Sequence, residues 1–169
     1  SGPPISESLG GRLTSARPFP VSSVWHEDGG FRKARIQNRA ASMTDKELLI
    51  FLDGDCIPFR NLVKTYRRAY REGEFMAGAV GYLGHEVSLT LDPDSVRLGA
   101  HESALSWGDC IRFWRKHVTN VFYRGRRLRW PRIRGGNFAV CRRLFSQVDG
   151  FDQVYEGFGR EDSDLRNRM

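Results

Sequence analysis

Hydrophobic and polar positions alternate along this chain in a way that changes period several times, and each change marks an element. GGFRKARIQNRAASM (29–43) reads as a helix opened by glycines and crowded by Arg32, Lys33, Arg35 and Arg39. ELLIFLD (47–53) is a continuous apolar run, too short for a typical helix. That pattern predicts a strand buried on both faces, in a parallel or mixed sheet under helices. NLVKTYRRAYREGE (61–74) places Leu62, Tyr66 and Tyr70 at helical spacing with Val63 beside them. It predicts an amphipathic helix with Asn61 as N-cap and Gly73 as terminator. FMAGAVGYL (75–83) returns to strand character, as does VSSVW (21–25), whereas residues 1–20 hold four of the seven prolines and read as irregular.

Further on, residues 92–100 read as a loop. A long helix is expected after them, to about residue 122. Ile111, Trp114, Val118, Val121 and Phe122 share one face of it, and Trp107 and the Phe113-Trp114 pair belong to its core. NFAVC (137–141) reads as a strand, RRLFSQV as a short helix ended by Asp149-Gly150, and DSDLRNRM as the start of a final helix. Strands alternating with helices predict an α/β layout with a mostly parallel sheet, in one domain without a linker.

Composition narrows the class. The 169 residues are 40% hydrophobic and 28% charged, which suits a globular domain with a real core and argues against disorder. No apolar run approaches the roughly 20 residues that span a bilayer. The N-terminal SGPPISESLGG has no apolar segment of the signal-peptide kind. Cys56, Cys110 and Cys141 are odd in number and form no C-x-x-C pair, so neither a disulfide framework nor a zinc site is expected and a reducing cytoplasm is. Lys and Arg outnumber Asp and Glu by 27 to 20, giving a net charge of +7. Such a field attracts anions without choosing among nucleotides, lipid headgroups, acidic glycans and nucleic acid.

Two constellations carry candidate chemistry. In Asp53-Gly54-Asp55 the carboxylates of an extended chain point to the same side, where they can converge on one divalent cation, or on a sugar hydroxyl and a cation. Strand ends in open α/β sheets are where ligands bind. Asp-Gly is equally a common turn pair. A strand ending in D-x-D also opens the site of haloacid-dehalogenase-type phosphatases, with the first aspartate as nucleophile. The second constellation is RGGNFAVCRRLFSQVDGFDQVYEGFGREDSDL (134–165). Its Gly135-Gly136 pair allows close backbone approach, and Glu161-Asp162 opens a helix. A carboxylate there is a candidate general base or an ordinary first-turn acid. Phe151, Tyr155, Phe158 and the nearby glycines have the composition of a wall for a sugar ring or of a lid.

GGNFAV followed by GFDQVYEGFGREDSDL resembles the C-terminal part of GT-A glycosyltransferases of the family-2 and galactosyltransferase-like kind. VWHEDGGFRKARIQNRA followed by LLIFLDGDCIP is similar to the middle of the same fold. The resemblance runs from about Val24 to Leu165. It implies a Rossmann-like GT-A mixed sheet flanked by helices, lacking its first strand or strands. It further implies an inverting, metal-dependent hexosyltransferase, bacterial and engaged in polysaccharide synthesis, that moves a sugar from a nucleotide-diphosphate sugar (a UDP-sugar by preference) to a glycan or lipid-linked hydroxyl. Mn²⁺ or Mg²⁺ is the implied cofactor.

By the same resemblance, Asp53 lies near the donor ribose or sugar and Asp55 ligates the metal. Asp162 is the catalytic base, with Glu161 its acceptor-binding neighbour. Arg35, Asn38, Gly135, Gly136 and Asn137 contact the donor side. Trp130 and Phe158, the latter replacing the usual tryptophan, contact the acceptor. His26, His85, His101 and His117 do not stand where the family's late histidine ligand falls. The strand with a DDGS-like nucleotide-binding turn and the C-terminal end are expected to lie outside the chain, so a fragment inactive by itself is expected. The expected place is the cytoplasm, with peripheral contact to the inner membrane face as one reading of YRGRRLRWPRIR; that stretch equally reads as facing an anionic glycan or as a solvated loop. The competing class is a basic module that binds nucleic acid or acidic polysaccharide, although no nucleic-acid partner is expected of the transferase.

Overall fold

The computed structural model describes residues 19–25, 29–115, 136–156 and 159–169. They form two compact units. One comprises the described residues up to Asp45 with those of Phe151–Glu161, and the other those of Lys46–Gly150 with Asp162–Met169.

The first unit is built on helix α1 (Lys33–Ser42), which buries Ala34 and Ala41. Helix and turn are joined through Asn38. Its Nδ2 donates to the Phe151 carbonyl at 2.8 Å, and its Oδ1 accepts from the Phe151 N–H at 2.9 Å. Phe151 is fully buried at this clamp. Residues 21–25 form no strand, so their β-branched composition does not translate into pairing.

The second unit holds a three-stranded sheet of β1 (Leu48–Leu52), β2 (Phe75–Ala77) and β3 (Asn137–Cys141), in the order β1-β3-β2. Both pairings are antiparallel, which corrects the mostly parallel sheet expected from the alternation of strands and helices. The mixed α/β class stands. The expected burial is corrected as well. β3 lies in the centre with four of its five residues buried, whereas β1 buries Leu49 alone. Register separates two faces. Leu48 and Ile50 pack with Ala139, Met76 and Tyr66, and Tyr66 comes from α2 (Leu62–Ala69). On the opposite face Phe51 stacks on Phe138 with centroids 4.8 Å apart and meets Phe145 of α6 (Arg142–Gln147) at 5.5 Å.

Cys141 ends β3 by capping α6. Its Sγ accepts from the Leu144 N–H at 3.3 Å and from the Gly73 N–H at the same distance. All three thiols are free of disulfides. Asn61 occupies the N-cap of α2 without a side-chain bond, and Val63 faces solvent. β2 ends at Ala77, shorter than expected, with the Gly78 N–H still donating to the Asn137 carbonyl.

Residues 92–100, expected as a loop, are helical. After α3 (His85–Thr90), α4 (Pro93–Leu98) opens on a capping box in which Asp92 and Ser95 exchange hydrogen bonds. Gly99 closes it at φ +89°, and α5 (Ala100–Ser103) follows. Residues 104–106 interrupt the expected long helix, which resumes over residues 107–115. Its aromatic face is turned the other way from expectation. Trp107 and Trp114 are exposed, and Phe113 packs inward on Phe59 at 6.0 Å. Val118, Val121 and Phe122 lie outside the described residues. Helix α7 (Glu161–Arg168) ends the chain and buries Leu165.

Candidate active site

The site begins where β1 ends. Strand pairing runs to Leu52 opposite Asn137, so Asp53 and Gly136 are the next residues of each strand. Asp53-Gly54-Asp55-Cys56 then forms a turn closed by the Cys56 N–H donating to the Asp53 carbonyl at 3.0 Å. The turn and the delivery of carboxylates are thus one structure. Asp53 is half-buried and Asp55 exposed, and the space in which a Gly54 side chain would stand is open. Cys56 borders the turn with its Sγ 3.8 Å from Asp55 Oδ1. Burial pushes its thiol pKa up, and the charges of Asp55 and Asp53 add to that.

Space at Gly136 is tight. A Cβ there would lie 3.0 Å from Val80 Cγ2, 3.4 Å from Cys56 Sγ and 3.8 Å from Asp53 Oδ2. The glycine segment before β3 and the D-x-D turn, some eighty residues apart in sequence, therefore meet through antiparallel pairing.

Asn137 is held by bonds within the protein. Its Oδ1 accepts from the Tyr66 hydroxyl at 2.7 Å, its Nδ2 donates to the Ala79 carbonyl at 3.1 Å, and its own carbonyl accepts from the Gly78 N–H at 2.9 Å. A side chain on Gly78 would collide with this amide and with the Tyr66 hydroxyl. Burial raises the Tyr66 phenol well above its ordinary pKa, so it stays a donor. This clasp holds the Gly78–Val80 segment against the start of β3 and so fixes the Val80 side of the Gly136 space.

The segment after the turn is anchored too. Glu102 Oε1 accepts from the Arg60 N–H at 2.6 Å, and Oε2 stands 3.4 Å from the Arg60 guanidinium. That amide, then the guanidinium, holds the Glu102 carboxyl below its usual range. The buried His101 ring lies 3.2 Å from the Pro58 carbonyl through Nε2, which must carry the proton for that bond to form.

The last predicted constellation opens α7. Gly159 and Arg160 enter it at φ +90° and +80°, and a left-handed arginine is a costly way to begin a helix. Glu161 is only 5% exposed, with Oε1 3.8 Å from Lys33 Nζ. Asp162, the next residue, is half-buried and belongs with the second unit, as Asp53 and Asp55 do. Arg35 is exposed on α1, and Asn38 is occupied by the Phe151 clamp. Gly135, Trp130 and Phe158 lie outside the described residues, as do His26, His117 and the whole basic stretch YRGRRLRWPRIR. His85 is exposed.

The structure thus brings together Asp53, Asp55 and Gly136. It adds Cys56 and Val80, which the sequence reading missed. Cys56 was detectable as the residue following the D-x-D. Val80 carries no local signal, because only the tertiary fold brings it to Gly136. Among the described residues no group of three or more His, Cys, Asp and Glu forms a metal cage.

A search of curated proteins and of solved structures finds no match. Residues 116–169 match the family described as the N-terminal domain of galactosyltransferase. That segment contains Gly136, β3 and α7, and it is about a third of the chain. The match supports a glycosyltransferase-related domain, and not family 2 in particular.

Proposed function

We propose that this chain carries the donor-phosphate and base elements of an inverting GT-A glycosyltransferase that moves a sugar from a nucleotide-diphosphate sugar to a hydroxyl of a glycan or lipid-linked acceptor. The observation that supports it most is the meeting of the D-x-D turn with Gly136, whose flanking segment is the one that matches a galactosyltransferase family.

Two carboxylates on an open turn suit a cation that arrives with its phosphates. Mg²⁺, and by like chemistry Mn²⁺, is commonly held by one or two carboxylates plus substrate oxygens rather than by a dedicated protein cage. Asp55, the exposed member, is assigned to the cation, and Asp53 to a donor hydroxyl. When bound, the cation supplies positive charge against the departing diphosphate. Gly136 leaves room for the donor beside Asp53. Asp162 accepts the proton of the acceptor hydroxyl as its oxygen bonds to the anomeric carbon and the bond to the diphosphate breaks. Displacement from the opposite face inverts the configuration. Glu161 is assigned to acceptor binding and Arg35 to the nucleotide. Asn137 and Asn38 act as struts for the two segments they hold, because their amides are already bonded within the protein.

The test is a screen of nucleotide sugars with Mn²⁺, scored for release of nucleoside diphosphate with and without glycan acceptors. Asp162→Asn is expected to bind donor as the parent does and to fail in transfer. Unchanged transfer by Asp162→Asn removes the base assignment, and the absence of binding to every donor removes the proposal.

A further inference from the structure

Residues 53–61 connect β1 to α2 without regular structure, and both carboxylates of the D-x-D stand at their start. β1 fixes one end of this connection. At the other end Asn61 makes no side-chain cap bond to α2. Between them the turn is closed by the bond from the Cys56 N–H to the Asp53 carbonyl, and Ile57 is exposed. Carboxylates on an irregular segment keep a fixed geometry when a rigid element holds that segment.

α5 supplies such a hold, at three consecutive residues. The Pro58 carbonyl accepts from His101 Nε2 at 3.2 Å. The Phe59 ring stacks on the His101 ring with centroids 6.3 Å apart, and it meets Phe113 edge-on at 6.0 Å. The Arg60 N–H donates to Glu102 Oε1 at 2.6 Å, and the Arg60 guanidinium reaches Oε2 at 3.4 Å. Gly99, at φ +89° before α5, leaves the space that this guanidinium fills, because a Cβ there would stand 2.6 Å from Arg60 Cζ.

The residue types say more than packing requires. His101 is 4% exposed, and its Nδ1 has no hydrogen-bond partner among the described residues. An unpartnered buried nitrogen is destabilising, and phenylalanine would make the same stack on Phe59 without it. What histidine adds is the bond to Pro58. Glu102 likewise turns a carboxylate onto a backbone amide, a charge-assisted bond of the stronger kind. Both polar groups of α5 thus act on the backbone that follows the D-x-D.

We propose that Glu102 and His101 are positioning residues for the cation site. By holding Arg60 and Pro58 they keep the Asp53–Cys56 turn closed and its carboxylates set for a cation that arrives with a nucleoside diphosphate. The identity of that ligand rests on the transferase reading above, whereas the hold on the turn does not.

The test compares the 169-residue parent with Glu102→Ala, Glu102→Gln and His101→Phe. The first readout needs no ligand. It is the rate at which iodoacetamide alkylates Cys56, followed by peptide mass separately from Cys110 and Cys141. Cys56 lies in the turn, whereas Cys141 is buried in β3 and reports opening of the sheet. Glu102→Ala should raise the Cys56 rate at least about fivefold and leave Cys141 unchanged, since losing a charge-assisted bond favours local opening. His101→Phe keeps the stack on Phe59, loses the bond to Pro58, and should raise the rate less. Glu102→Gln retains an acceptor for the Arg60 amide and should react at a rate near the parent's. The second readout is the Mn²⁺ concentration that gives half of the UDP-dependent rise in thermal midpoint. It should increase at least about fivefold in Glu102→Ala and return toward the parent value in Glu102→Gln, which a general loss of stability would not produce. Equal Cys56 rates in parent and Glu102→Ala overturn the hold on the turn, whatever UDP and Mn²⁺ do. Unequal rates with an unchanged Mn²⁺ requirement overturn its role at the cation site. A parent that gains nothing from UDP and Mn²⁺ overturns the transferase reading, and the positioning role with it.

Discussion

Phe138 and Trp107 are both large aromatic residues in regular structure, and they meet opposite fates. Phe138 is 0% exposed in the central strand, stacked on Phe51 and flanked by neighbours whose register is fixed on both sides. Trp107 opens a helix that touches its unit through another aromatic, Phe113. Strand pairing sets the facing of every residue at once, because a slip of one position would turn the whole apolar set outward. A helix keeps its periodicity whichever side it presents. The lesson is that apolar spacing located both elements, but only the sheet's hydrogen bonds committed the side chains to the interior.

That contrast can be pressed by mutation. Phe138→Ala should cost about 3–5 kcal/mol in chemical unfolding, the range for emptying an aromatic site in a packed core. A loss near that of a surface residue would mean the sheet face is not the core. Asn137→Ala comes next, at about 2–3 kcal/mol, because the Tyr66 hydroxyl and the Ala79 carbonyl lose their partner while still shielded from water. If Tyr66→Phe in the same background costs nothing more, the two residues act as one clasp.

A smaller effect is expected at Glu102, which ties α5 to the segment behind the D-x-D turn. Its folded carboxyl is held below the ordinary value of 4.5, so it stabilises the protein above that value and ceases to as pH falls through the folded one. Glu102→Gln should therefore lower stability at pH about 6 and lose that deficit as pH falls through the lowered folded value, in matched unfolding curves. Trp107→Ala should be the mildest, within about 0.5 kcal/mol. A large loss there would place Trp107 in a core.

Much of this was legible in sequence. LLIFL and NFAVC were readable as strands from composition and length, and the Leu62–Tyr66–Tyr70 spacing located a helix that begins at Leu62. The direction of pairing was not readable. β1 and β3 are separated by more than eighty residues, and nothing local records whether the chain returns parallel or antiparallel. The helix in residues 92–100 was missed although Asp92, Pro93, Ser95 and Gly99 are its start and stop signals. Short polar segments of this kind look like loops when the apolar period is given precedence. At the site, carboxylates on an open turn could be inferred from D-G-D alone. The commitment of Asn38 and Asn137 to backbone and tyrosine partners could not, since an amide looks the same in sequence whether it faces a ligand or a carbonyl.

The central claim is that the turn at the end of β1, beside Gly136, holds the diphosphate of a nucleotide sugar through a cation on Asp55. Thermal unfolding with UDP and Mn²⁺ together tests it most directly. The midpoint should rise in the parent, and the rise should vanish in Asp55→Ala and in Gly136→Val, which fills the space next to Asp53. No rise in the parent, or the same rise in Asp55→Ala, would contradict the account.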